Sequence, residues 1–187
     1  MARSKQYNEQ EVIEKAMSLF WRNGYENTSV RMLEKEMGIN QFSIYASFGN
    51  KQGVFLESIR TYRKRIKIIT YRLEKSNNGI IGIKQFFYDF IEFSTSDNCK
   101  KGCLVTNTVS ELGENGDPEI MAEVEKFFEE VKSLFKNSLQ QDSNKSEEAV
   151  IKQANYLAVS MLGLSSASKI LDDQQLQDYI EIAFLSL

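Results

Sequence analysis

The chain has 187 residues, a formal net charge of −3, 42% hydrophobic and 11% aromatic residues, and a single proline. That is enough apolar mass to bury a real core in one large domain or two small ones, and the scarcity of Pro, Gly, Val and Thr points to an all-α protein. No run approaches 18 apolar residues, which excludes a membrane-spanning helix, and the opening "MARSKQYNEQ" lacks the apolar stretch of a signal peptide. Two cysteines without an export signal suit a reducing cytoplasm.

The first helix begins at Asn8, a side-chain cap followed three residues later by Glu11, and carries Val12, Ile13, Ala16, Leu19 and Phe20 at helical spacing. Gly24 ends it as a left-handed C-terminal residue. Ser29 caps a second helix with Val30, Leu33 and Met37, stopped by Gly38. Asn40 caps a short third helix with Ile44 and Phe48 inward. Asn50 caps a long fourth, with Phe55, Ile59, Tyr62, Ile66 and Ile69 in steps of three and four.

"SNNG" (76–79) breaks the pattern before a fifth helix with Ile83, Phe86, Phe87, Phe90 and Ile91. "NCKKG" (98–102) breaks it again before "CLVTNTVSEL". After "GENGDP" (113–118), Asp117 caps a helix with Pro118 in its first position, carrying Val124, Phe127, Phe128, Val131, Leu134 and Phe135. "QQDSNKS" (140–146) is a polar loop. Ser146, Glu147 and Glu148 open an eighth helix, and Asp172 and Asp173 a ninth ending in "IEIAFLSL". The count is about nine helices. The expected division falls at the start of the fourth helix, which links a front unit (1–50) to a rear bundle (51–187).

Charge divides the same way. Residues 1–65 hold eleven Lys and Arg against seven Asp and Glu, a balance of +4, and residues 66–187 hold twelve against nineteen, −7. A basic front suits a polyanion. Gly38 and Ile39 form a tight bend between the second and third helices, which is helix-turn-helix grammar. In such a motif the N-terminal residues of the second helix meet base edges in the major groove. Here they are Gln41, Phe42, Ser43 and Tyr45. Gln pairs with adenine, Ser with several bases, and an aromatic packs on a thymine methyl. Arg31 and Lys51 are placed to hold phosphates, and Thr28 and Ser29 to do so through a hydroxyl or free backbone N–H groups. Asn40 and Ala46 complete the candidate DNA-facing set. Phe42 either faces outward for contact or folds back on the first helix as core.

The stretch "AMSLFWRNGYENTSVRMLEKEMGINQFSIYASFGNKQGVF" (16–55) resembles the N-terminal DNA-binding domain of the TetR (tetracycline-repressor) family. The resemblance covers about residues 8–60. It rests on the ordered set Ala16, Leu19, Phe20, Gly24, Tyr25, Thr28, Val30, the Gly38–Ile39 turn, Tyr45, Phe48, Gly49, Lys51 and Phe55. It implies phosphate contacts by Tyr45 and Lys51. Two positions depart from the family pattern, Phe42 where a small residue is common and Ala46 where His is common, and both bear on base preference. Arg3 and Lys5 form either an arm for a neighbouring groove or a basic tail.

The resemblance further implies a helical C-terminal bundle that binds a small effector and dimerises. "KKGCLVTNTVSEL" and then "DPEI" resemble one broad branch of the family, with Gly102, Cys103 and Leu104 opening the sixth helix. Helices eight and nine are expected to pair with their mates in a four-helix interface. In "NYLAVSMLGLSSASKIL" the small residues Ala158, Gly163, Ser165, Ser166 and Ala167 permit close approach. Leu157, Met161 and Leu164, with Ile180 and Phe184 on the ninth helix, are the candidate apolar contacts. The candidate effector lining is Phe86, Phe90, Cys103, Asn107, Phe127, Val131 and Tyr156, suited to an apolar or aromatic ligand, with plain core as the competing reading.

Cys99 and Cys103 sit four apart beside two lysines, a setting that favours thiolate and hence a thiol- or electrophile-sensing variant of the same regulator. Without any His they do not make a zinc site, and no other metal or cofactor is implied. No nucleophile elbow, phosphate loop or acid pair suggests an enzyme. The leading expectation is a ligand-responsive repressor, homodimeric on a pseudo-palindromic DNA operator. The runner-up is a thiol- or electrophile-sensing repressor that uses Cys99 or Cys103, and behind it stands a helical protein-interaction module.

Overall fold

The computed structural model describes residues 7–95, 100–185 and 187. Arg3, Lys5 and Cys99 lie outside the described residues. Among those described there are nine α-helices and no strand: α1 (Glu9–Asn23), α2 (Val30–Met37), α3 (Gln41–Phe48), α4 (Lys51–Lys75), α5 (Ile80–Thr95), α6 (Leu104–Leu112), α7 (Pro118–Leu139), α8 (Glu147–Ala167) and α9 (Asp173–Ala183). A 3-10 turn, Gly113–Asn115, follows α6.

The helix starts are set by short polar side chains that satisfy otherwise unpaired backbone N–H groups. Asn8 accepts from Gln10 N, Ser29 from Met32 N, Asn40 from Ser43 N, Asn50 from Gly53 N, Asp117 from Glu119 N and Ser146 from Ala149 N. Asp172 and Gln175 form a reciprocal capping box at α9. At α1 the reciprocal partner is absent, because Glu11 turns to Lys15 at 2.9 Å. Gly38 ends α2 in the left-handed region, φ 72° and ψ 21°. Gly24 ends α1 differently, with φ 82° and ψ 174°, so the expected left-handed helical geometry is replaced by an extended one that glycine alone tolerates.

α4 organises the molecule. Its buried residues run from Val54 to Leu73, and it packs on α1, α3, α5, α6 and α7. At the front, Phe20 and Tyr25 each lie 4.8 Å from Phe55, ring centre to ring centre, closing a core with Met17, Leu33, Met37 and Ile44. At the rear, α5, α7 and α8 bring Phe86, Phe87, Phe127 and Phe135 together. Between them, Trp21 of α1 meets Tyr62 of α4 edge-on at 5.1 Å and donates its indole N–H to the Gly102 carbonyl at 3.1 Å. Burial of these rings, with the aliphatic side chains packed around them, stabilises the fold by about 25 cal/mol per Å² of apolar surface removed from water.

Candidate nucleic-acid interface and effector bundle

α3 is eight residues long and only Ile44 on it is fully buried. Phe42 is 84% exposed, so the ring does not fold back on α1. Gln41 beside it and Ala46 one turn further on are also exposed. The ring therefore stands in water at the start of the second helix of the helix-turn-helix, the end that meets base edges in such motifs. Asn40 is held by its capping bond to Ser43 N at 2.9 Å. Ser43 and Tyr45 are half-buried, with the Tyr45 ring packed against the core.

Two supports of α3 have no local sequence signal. The Glu34 carboxylate of α2 accepts from Gln41 N at 2.5 Å, clamping the helix start from across the turn. Tyr7 donates its hydroxyl to the Ser43 carbonyl at 3.1 Å and lies 2.8 Å from the Ser47 hydroxyl, tying the segment before α1 to the middle of α3.

The phosphate-binding candidates divide. Arg31 is exposed and has no ion-pair partner among the described residues. Ser29 is exposed at the N-terminus of α2, where helix N–H groups favour an anion. Lys51 lies 4.4 Å over the Tyr25 ring and donates to the Glu26 carbonyl at 3.4 Å, so it is parked on the turn that leads to α2. Burial, with Glu26 and Asp117 nearby, pushes the Tyr25 phenol up and keeps that ring neutral beneath the ammonium. Thr28 is a correction. It is fully buried, its hydroxyl donates to the Gly24 carbonyl at 2.6 Å and its N–H to the Tyr25 carbonyl at 3.3 Å. Its small polar side chain locks the turn from inside and faces no phosphate.

With that geometry in place, the similarities are informative. Residues 12–58 match the family described as bacterial regulatory proteins, tetR family. The HTH-type transcriptional regulator YezE of Bacillus subtilis (strain 168) is 26% identical over 98% of this chain and 97% of its own. The negative transcriptional regulator IcaR of the Staphylococcus aureus biofilm operon icaADBC is 26% identical over 65% of this chain and 69% of its own. A cysteine mutant of the TetR family transcriptional regulator CifR, solved with a 26-base-pair operator DNA, superposes with a TM-score of 0.85 at 25% identity, covering 97% of this chain and 98% of that one.

The chain belongs to the TetR family.

In this TetR-family regulator the rear candidates are scattered. Phe127 and Val131 border a cleft of about 400 Å³ between α4 and α7. Asn107 borders a separate cleft of about 620 Å³ beside Trp21, Lys101 and Glu111. Phe86 borders a third, between α4 and α5. Phe90 and Cys103 are packed in the core. Tyr156 is a correction, since it is exposed on the outer side of α8 and lines none of these clefts.

The dimer candidates need correcting too. Leu157, Met161, Leu164 and Ile180 are buried within their own chain, and Phe184 packs edge-on against Phe87 at 5.2 Å. The outer faces of α8 and α9 instead show Ile151, Tyr156, Val159, Tyr179 and Ile182, with Ile170 and Leu185 just beyond the two helices.

Cys103 caps α6 through its backbone and is fully buried. Burial pushes its thiol up, outweighing the hydrogen-bonding groups of Tyr62 and Thr106 that would lower it. The expected thiolate setting is therefore reversed at this residue. The Tyr62 hydroxyl lies beside the thiol without a well-formed hydrogen bond, and Thr61, Ser94 and Thr106 likewise bury hydroxyls without a partner among the described residues. Buried polar groups left unpaired are uncommon and costly. No helix of the described residues is long and apolar enough to cross a membrane.

Proposed function

We propose that this TetR-family regulator is a ligand-responsive repressor that binds a pseudo-palindromic DNA operator as a homodimer in the cytoplasm. Residues 1–50 form the DNA-reading unit, and residues 51–187 the effector-binding and dimerisation unit, with α4 as the link. The observation that carries the reading is the exposure of Phe42 beside Gln41 at the N-terminal end of α3. In this reading Gln41, Phe42 and Ala46 meet base edges. Arg31, Ser29, Tyr45 and Lys51 hold the backbone, Lys51 by swinging from the Glu26 carbonyl to a phosphate.

Dimerisation uses the outer apolar faces of α8 and α9. Val159 at 68% and Ile170 at 81% exposure are the central contacts, with Ile182 and Leu185 beside them. A two-fold axis there places two α3 helices about one duplex turn apart. An effector that fits only a splayed arrangement draws the population away from operator spacing. The unpartnered hydroxyls of Tyr62 and Thr106 support an effector with polar atoms at the bundle centre.

The test is selection of bound duplexes from a random pool at two salt concentrations. A two-fold symmetric site is the expected result. Only bulk, salt-sensitive binding would remove base reading by α3. No binding would favour a protein-interaction module.

A further inference from the structure

The cleft between α4 and α7 joins surfaces of opposite character. Ile66, Phe127, Val131 and Leu134 give it an apolar floor, and Arg60, Arg63, Lys64 and Lys67 give it a cationic rim along α4. Its volume, about 400 Å³, falls in the range of small-molecule sites. From Arg60 to Thr70 the rim follows α4 for about 15 Å.

The four cations are not equivalent. Arg63 is clamped, with one nitrogen 2.7 Å from Glu123 and another 2.6 Å from Glu130. Arg60 reaches Glu57 and Glu123, each at 3.4 Å. The ammonium groups of Lys64 and Lys67 are exposed and have no ion-pair partner among the described residues. A neutral apolar ligand would leave both lysines unused. Of the floor, Leu134 reaches solvent, while Ile66, Phe127 and Val131 lie just beneath it at 2% exposure each, so an apolar body seats on Leu134 and reaches the other three as α4 and α7 part. Beyond the floor, the Phe127 ring meets Tyr62 at 6.4 Å, and the Tyr62 hydroxyl is one of the buried groups without a partner.

We infer that this cleft takes an apolar carboxylate, a fatty or aryl acid, with the acid group received by Lys64 and Lys67 and the body laid over Leu134 toward Phe127 and Val131. The inference rests on the proposed reading of α4 to α8 as the effector-binding unit. The acid also competes with Glu130 for Arg63. Because the Arg63 fork ties α4 to α7, seating the acid loosens α4 where that bridge now holds it.

Calorimetric titration of the full chain with decanoate and 2-naphthoate, each against its matched alcohol, tests this. At least one acid binds once per protomer, and its alcohol binds about tenfold more weakly. The K64E/K67E double variant weakens the acid about tenfold and leaves the alcohol unchanged, while K75E, a charge reversal at the exposed C-terminal end of α4, leaves both unchanged. Equal binding of acid and alcohol, indifference to K64E/K67E, or binding of neither acid would overturn the inference. Operator release measured in the same samples separates the two readings. Acid binding without release keeps the acid site and removes its effector role. Release by a neutral compound, with no acid bound, removes the acid site and keeps the regulator.

Discussion

Glu111 holds the backbone of Tyr25. One carboxylate oxygen accepts from Tyr25 N at 2.8 Å and the other from Glu26 N at 2.8 Å. The donors sit in the turn between α1 and α2, and the acceptor is on α6, 86 positions from Tyr25. Charge-assisted bonds of this kind are short and directional, so the helix-turn-helix is fastened to the rear bundle by a route other than α4. The Trp21 to Gly102 bond runs parallel to it. Glu111 thus links α6 directly to the turn that precedes α2.

Glu111→Ala leaves two N–H groups to water and is expected to cost about 1 kcal/mol of stability. Amide exchange at Tyr25 and Glu26 should quicken. Gly24→Ala is expected to cost about 1–3 kcal/mol, because its φ of 82° is strained for Ala and a Cβ would stand 2.5 Å from the Glu111 carboxylate. In the double variant the clash disappears while the strain remains, so the loss should fall short of the sum. Urea denaturation of the four proteins measures this, and strict additivity would mean that Glu111 and Gly24 do not meet.

Phe42→Ala should move the denaturation midpoint by less than about 0.5 kcal/mol, since the ring is exposed. It should change which duplexes are selected. Ile44→Ala, two positions on and fully buried, should cost about 2–5 kcal/mol. Lys51→Ala should weaken all duplexes alike and reduce the salt slope by about one. Selection profiles and salt titrations distinguish these outcomes. A stability loss for Phe42→Ala comparable to that of Ile44→Ala would put the ring in the core.

The helix starts were legible because capping is local chemistry: Asn8, Ser29, Asn40, Asn50, Asp117, Ser146 and Asp172 each bond within three residues of themselves. The exposed turn of α3 was legible from Gly38 and from an aromatic among polar residues. The facing of α8 was not. Its stretch "NYLAVSMLGLSSASKIL" is apolar or small nearly all round, so helical periodicity does not say which stripe meets the protein's own core. Leu157, Met161 and Leu164 went inward, and Val159 and Ile170 outward. Thr28 looked like a surface hydroxyl because nothing nearby reveals that the turn closes over it. Tyr7 with Ser47 and Glu111 with Tyr25 join residues 40 and 86 positions apart, and Glu34 with Gln41 bonds across the turn between two helices, so helical periodicity announces none of them.

The outward stripe gives a sharp contrast for assembly. Val159→Lys combined with Ile170→Lys places two charges on the proposed two-fold face and should yield a folded monomer in sedimentation equilibrium. Leu157→Ala should instead cost about 2–5 kcal/mol of stability, because that side chain is buried within its own chain. A dimer that survives the double lysine change locates the interface elsewhere.

Cys103 carries the pH-dependent prediction. Burial raises its thiol above the ordinary cysteine value, so the folded state favours the neutral form. The stability linked to it is fully present below the unfolded value, about 8.5, and is lost as pH rises through the folded one. In a Cys99→Ser background, dithionitrobenzoate should therefore label the native protein slowly between about pH 7 and 8, at a rate that tracks opening of the core. In denaturant the same thiol should react at once. Mild peroxide should leave duplex binding by that variant intact, since a buried neutral thiol is a poor nucleophile. Prompt labelling of native protein, together with oxidant-sensitive duplex binding, would contradict this and make Cys103 a sensor.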